Sequence, residues 1–317
     1  TIAWAQEEPD PRLFSYEAER YSEEAVVCEN TAQQIAEHLA ADFDVNVVDA
    51  GCVANVRGSY NLRVDYYAVQ RVPLVSTAKP AGSMLDDPGR FEERADCEAA
   101  LMAEAELFAA ATGLQPDTFY CYKDDIRTGD LWMTKVEAFG ESAVVPQLAS
   151  AYVFSQVLGF SRSTFIDGIR QNAEARGLAV SAVKISPSFG YMTVTLLFYA
   201  EGRQRMENKE IIKLAKQEQC EEQLAETRDM LADSSLLLGF CTYTSITGYF
   251  EINTLGYGRL PADCYIPAVV YQSYEECRAD RRNIADEFRD RLPKPVLGVL
   301  CGLEEDQWKP HVIMDNQ

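Results

Sequence analysis

Eight of the nine cysteines fall into one recurring frame. A cysteine opens an amphipathic stretch of helical period. A turn follows, and a short apolar run of strand character then carries a second cysteine. The frame occurs at Cys28–Cys52, Cys97–Cys121, Cys220–Cys241 and Cys277–Cys301, with spacings of 24, 24, 21 and 24 residues. Eleven residues after each first cysteine, close to three helical turns, stands Leu39, Phe108, Leu231 or Phe288, so an apolar residue shares the cysteine's face every time. A helix of about 15 residues rises ~22 Å, and an antiparallel strand of about seven returns ~23 Å, so the two cysteines of a frame meet. The frame therefore predicts four disulfides, each stapling the first turn of a helix to the following strand. None of the spacings is CxxC or CxxH, which argues against zinc or an iron–sulfur cluster. Scattered cysteines are ordinarily buried thiols. Four pairs in equivalent places instead indicate disulfides and an oxidising compartment.

Ser163–Ile185 follows the same plan without cysteines, which brings the number of units to about five. The expected fold class is α+β, with tandem strand–helix–strand repeats forming ferredoxin-like two-layer sandwiches of helices on antiparallel sheets. Residues 1–12 read as an extended lead-in, 13–146 as a first domain of two units, and 147–317 as a second of three. An odd unit leaves a sheet edge that needs cover from another domain or another subunit. Within this frame the reading places a long loop at Val72–Arg90, a linker at Gly140–Pro146, a strand at Ser150–Phe160, a helix over about Asn208–Ala232 and a strand at Cys264–Tyr271. Ala3-Trp4-Ala5 has the form of a signal-peptide cleavage site, with a mature start near Gln6.

The formal net charge of −21 disfavours nucleic acid and anionic lipid as partners. No apolar run reaches the ~18 residues of a membrane-spanning helix. Nucleophile-elbow, zinc-protease, P-loop and dinucleotide-binding motifs are absent, so no catalytic, cofactor-binding or metal-ligating set is assigned. Of the two histidines, His38 reads as a surface residue of its helix, and His311 lies in the C-terminal strand. Cys264, left over from the four pairs, reads as a buried strand thiol, with an intermolecular disulfide or a reactive thiol as alternatives. Asp86-Asp87, Asp124-Asp125 with Asp130, and Glu304-Glu305-Asp306 read as solvated turns, with calcium binding as the alternative. Aromatics gather on the expected hairpins, among them Tyr66, Tyr67, Phe119, Tyr120, Tyr122, Tyr243, Tyr249, Phe250 and Tyr257. They read as sheet packing, or as a face for a partner or glycan.

These features point to a non-enzymatic, secreted or periplasmic scaffold protein that acts through protein partners or self-assembly, without a cofactor. One alternative is a glycan-binding module. Within Ser150–Cys241, the stretch AYVFSQVLGFSRSTFIDGIRQNAEARGL resembles the SPOR peptidoglycan-binding family. That resemblance implies a ferredoxin-like sheet face holding glycan, although the cysteine pairs are no part of the family's pattern. The other alternative is an enzyme that uses carboxylates or Cys264.

Overall fold

The computed structural model describes residues 10–77, 89–124, 131–188, 191–202, 204–231, 236–257 and 262–315. Among the described residues the chain forms five β-α-β-β repeats. The first is β1 (Arg12–Ser22), α1 (Ala25–Asp42), β2 (Asn46–Ala54) and β3 (Tyr60–Ala68). The second has a split first strand, β4 (Leu74–Ser76) and β5 (Arg90–Phe91), then α2 (Arg94–Thr112), β6 (Thr118–Asp124) and β7 (Leu131–Phe139). The third is β8 (Val144–Phe154), α3 (Arg162–Ala175), β9 (Ala179–Ser188) and β10 (Tyr191–Glu201). The fourth is β11 (Met206–Leu214), α4 (Gln217–Met230), β12 (Leu236–Thr244) and β13 (Tyr249–Tyr257). The fifth is β14 (Ala262–Tyr265), α5 (Tyr274–Arg289), β15 (Val296–Glu304) and β16 (Gln307–Asp315).

Each repeat is a small two-layer α+β sandwich with its own sheet. The last strand is central, giving the orders β1-β3-β2, β8-β10-β9, β11-β13-β12 and β14-β16-β15. In the second repeat β4 and β5 pair along one stretch of β7, and β6 also pairs with β7. The second and third strands form a hairpin. The helix is the longer crossover that carries the chain from one edge of the sheet to the other. In the first repeat the α1 face Cys28, Ala32, Ile35, Ala36 and Leu39 packs with Leu62, Val64 and Tyr66 of β3. Gly113 closes α2 in the left-handed conformation, at φ 75°, which costs a glycine nothing sterically.

Four expectations change. Val72–Arg90 holds two short strands, Leu74–Ser76 and Arg90–Phe91, both on β7. Strand β8 begins at Val144, so Gly140–Pro146 is not a linker throughout and the strand lies earlier than Ser150–Phe160. Met206–Leu214 is a strand and not the start of a helix: its Glu and Lys residues suit a helix locally, but pairing with β13 and burial of Ile211, Ile212 and Leu214 decide otherwise. The fifth repeat's first strand stops at Tyr265.

The chain divides into two compact units, Thr1–Gln147 with Tyr199–Gly202, and Leu148–Phe198 with Arg203–Gln317. In the first unit β1 lies beside β6, and Tyr120 and Phe139 of repeat two complete the core of repeat one. The Tyr16 hydroxyl donates to Glu137 at 2.9 Å, and its ring meets Phe139 edge-on. In the second unit, Leu158 N–H donates to Cys241 O and Tyr243 N–H to Gln156 O, so the segment after β8 covers the edge of β12. Likewise β11 lies beside β15. The buried Gln223 of α4 both donates to Cys301 O, at 2.8 Å, and accepts from Cys301 N–H, at 2.7 Å. A shared rule emerges inside each unit: the first strand of a repeat, or the segment just after it, runs along the second strand of the next repeat.

Candidate ligand cleft and the Cys264–His311 pair

The four staples close as the cysteine frame requires. Cys28–Cys52, Cys97–Cys121, Cys220–Cys241 and Cys277–Cys301 are disulfides with Cα–Cα distances of 6.1, 6.2, 6.2 and 6.0 Å. Each joins the start of a helix to the second strand of the same repeat. All but Cys52 and Cys121 are buried. Four disulfides fit an oxidising, extracytoplasmic setting. Among the described residues no helix is long and apolar enough to cross a membrane.

Between the first and second repeats lies a cleft of about 450 Å³. Its lining includes four cations, Arg20, Arg57, Arg94 and Lys123, against one anion, Glu23. The whole chain has 29 basic and 50 acidic residues, so this surface inverts the balance of the molecule. Each cation is placed by a local device. Arg20 sits where the β1–β3 register shifts, with φ 55°. Its N–H donates to Asn61 Oδ1 and its guanidinium to Lys123 O, both at 2.9 Å. A non-glycine residue in this left-handed region is strained, and such outliers collect at functional sites. Arg57 rides the β2–β3 turn. There Asn55 Oδ1 accepts from the N–H groups of Arg57 and Ser59, and Gly58 supplies φ 81°. Arg94 opens α2, where the helix dipole disfavours a cation. It donates to Glu98 at 2.7 Å and Glu23 at 2.5 Å. Trp132 holds the group together, with the Arg94 guanidinium 5.3 Å and the Lys123 ammonium 5.6 Å from its ring centroid. Ser22, Ser59, Tyr21 and Tyr122 add hydroxyls and ring edges to the wall.

No sequence motif announces this cleft, because its cations come from a bulge, a turn, a helix start and a hairpin strand. The one legible signal is local excess of positive charge in a chain of opposite sign.

Cys264 corrects one expectation: it lies on β14 but is exposed rather than buried. Its Sγ is 3.3 Å from Nδ1 of His311 on β16. The imidazole is 2 % exposed, and burial, helped by Lys309, lowers its pKa to about 4. Glu304 Oε1 stands 3.8 Å from Nε2, too far for a hydrogen bond. The ring fits only because residue 302 is glycine: a Cβ there would come within 2.6 Å of Nε2. The geometry is that of a nucleophile–base pair, but a buried imidazole that resists protonation does not favour the imidazolium–thiolate form. It suits a neutral ring accepting from the thiol.

His38 is not simply a surface residue. Its Nδ1 lies 2.6 Å from Asp117 Oδ1 and its Nε2 3.2 Å from Asp42 Oδ2, tying α1 to the start of β6. Of the acidic groups, Asp86, Asp87, Asp125 and Asp130 fall outside the described residues. Glu305 and Asp306 form the β15–β16 turn, both at positive φ, and Asp306 accepts from the Tyr249 hydroxyl. Among the described residues no cluster of three or more His, Cys, Asp or Glu is placed to hold a metal ion. Several of the hairpin aromatics pack against one another, as in Tyr120–Tyr122 and Tyr243–Phe250, while Tyr67 and Phe119 are exposed.

No family model matches this chain, and neither a characterised protein nor a solved structure matches it. The resemblance of Ser150–Cys241 to the SPOR family therefore gains no support from them.

Proposed function

We propose that this chain is a non-enzymatic, secreted or periplasmic scaffold protein, a subunit of a cell-envelope or extracellular assembly that works through protein–protein contacts. The observation that carries this reading is the bare edge of the last repeat. Where neighbouring repeats meet inside a unit, the first strand of one or the segment after it is covered by the second strand of the next. For β14 no following repeat exists in this sequence. The residues at its end and just beyond it, Tyr265, Ile266, Val269 and Val270, are exposed and apolar. Exposed apolar strand edges are sites of pairing with another chain. At the other end of the array, β2 exposes Val48 and Val53.

The test is mass in solution by light scattering, with and without cross-linking, on the disulfide-intact protein. Association that Ile266→Lys and Val269→Lys abolish supports the reading. A strict monomer that captures no partner from its own envelope fraction counts against it. The net charge of −21 adds a signature: self-association should strengthen as salt screens the mutual repulsion. The glycan-binding reading keeps one observation in its favour, the aromatic and cationic cleft.

A further inference from the structure

We propose that the cleft between the first and second repeats is a binding site for an acidic saccharide, a sugar ring or short oligosaccharide bearing carboxylate or sulfate groups. This inference stands apart from the scaffold reading, since it concerns a different surface.

The volume of about 450 Å³ lies within the range of small-ligand sites and is too small for a folded partner. Four cations line a space that holds one carboxylate, in a protein with a 21-charge acidic excess. That acidic excess would draw cations elsewhere, and only here does the lining reverse sign among the clefts described. Arg57 is exposed on a turn whose shape is set by Asn55, so its charge is presented without being needed for the core. Arg94 occupies the helix end where a cation is least favoured, and Arg20 a strained backbone position; both are costs that a bound anion offsets. Trp132 pre-orders Arg94 and Lys123, reducing the side-chain entropy lost on binding. Serine and tyrosine hydroxyls beside aromatic edges match the alternation of hydroxyls and C–H faces on a sugar ring, whereas a bare inorganic anion has no use for them.

The experiment is titration of the intact, oxidised protein, followed by tryptophan fluorescence and calorimetry. The probes are an oligogalacturonate, a heparin-derived tetrasaccharide, neutral maltotetraose and inorganic sulfate. The acidic oligosaccharides are expected to bind and to perturb Trp132, a signal that Trp132→Phe removes. Arg57→Ala and Lys123→Ala should each weaken binding about tenfold, and raised salt should weaken it in the native protein. Arg57 lies on an exposed turn and its variant should fold; circular dichroism checks this, and the salt dependence of the unaltered protein is a readout free of mutation. Equal binding of maltotetraose, unchanged affinity in both cation variants, or displacement by equimolar sulfate would each overturn the proposal, the last by showing a simple anion site. Loss of saccharide binding with self-association intact sinks this inference alone. The opposite pattern sinks the scaffold reading alone.

Discussion

Removing the Cys277–Cys301 staple, by Cys277→Ala with Cys301→Ala, should cost the second unit about 3 kcal/mol. The bond closes a separation of 24 residues. In the chain-entropy model, 2.1 plus 1.5R ln 24 gives about 11.6 cal/mol/K, or about 3.4 kcal/mol at 25 °C. For a unit of this size that is a fall in Tm of about 7–14 °C. Both sulfurs are fully buried, so some packing is lost as well. The loop term differs little among the staples: against the 21-residue Cys220–Cys241 separation the change is only about 0.1 kcal/mol. Urea unfolding of the double variant and of the native protein, each followed by near-ultraviolet circular dichroism, measures the cost. The two compact units can unfold separately, so the transition of the second unit is the one to follow. A loss below about 0.5 kcal/mol would refute the claim that the staple restrains the unfolded chain.

Three further outcomes follow from the fifth repeat. His311 is held neutral by burial, with its pKa lowered to about 4 against 6.5 when unfolded. The unfolded chain therefore takes up the proton first as pH falls, and stability present above about pH 6.5 drains away down to about pH 4, by up to about 3 kcal/mol; His311→Gln should flatten that slope in unfolding measurements, and an unchanged slope would contradict the assignment. Gly302→Ala should destabilise by about 1–3 kcal/mol because its Cβ meets the buried His311 ring at 2.6 Å, while Gly298→Ala, whose Cβ meets only the flexible end of Met230, should cost less; thermal melts that reverse this order would be inconsistent with the packing. Gln223→Ala leaves the buried N–H and C=O of Cys301 without their partner and should cost about 2–4 kcal/mol; faster amide exchange at Cys301 reads it directly.

The staples were legible because geometry makes them periodic. A helix and the strand that returns along it have nearly equal lengths, so cysteine spacing alone reports the pairing. The central strand of each repeat was visible as a hairpin partner, but the separation into individual sheets was not, since edge-to-edge neighbours leave no local mark. Met206–Leu214 escaped for a physical reason: MENKEIIKL carries helix-compatible Glu and Lys, and only pairing with β13 makes it a strand. Leu74–Ser76 and Arg90–Phe91 are too short to show alternation. The cleft was illegible for a different reason. Its five key side chains are spread over 113 positions, from Arg20 to Trp132, and meet only when the second repeat folds against the first. Cys264 and His311, 47 residues apart, meet across the pairing of β14 with β16.

The most direct measurement is peptide mapping of the purified protein under non-reducing conditions, after alkylation without reductant. Cross-linked peptides should join Cys28 to Cys52, Cys97 to Cys121, Cys220 to Cys241 and Cys277 to Cys301. Cys264 should take the alkylating label, since it is exposed and outside the four bonds. Label at any of the other eight cysteines, or a bond that crosses from one repeat to another, would contradict the stapled-repeat architecture and with it the oxidising compartment.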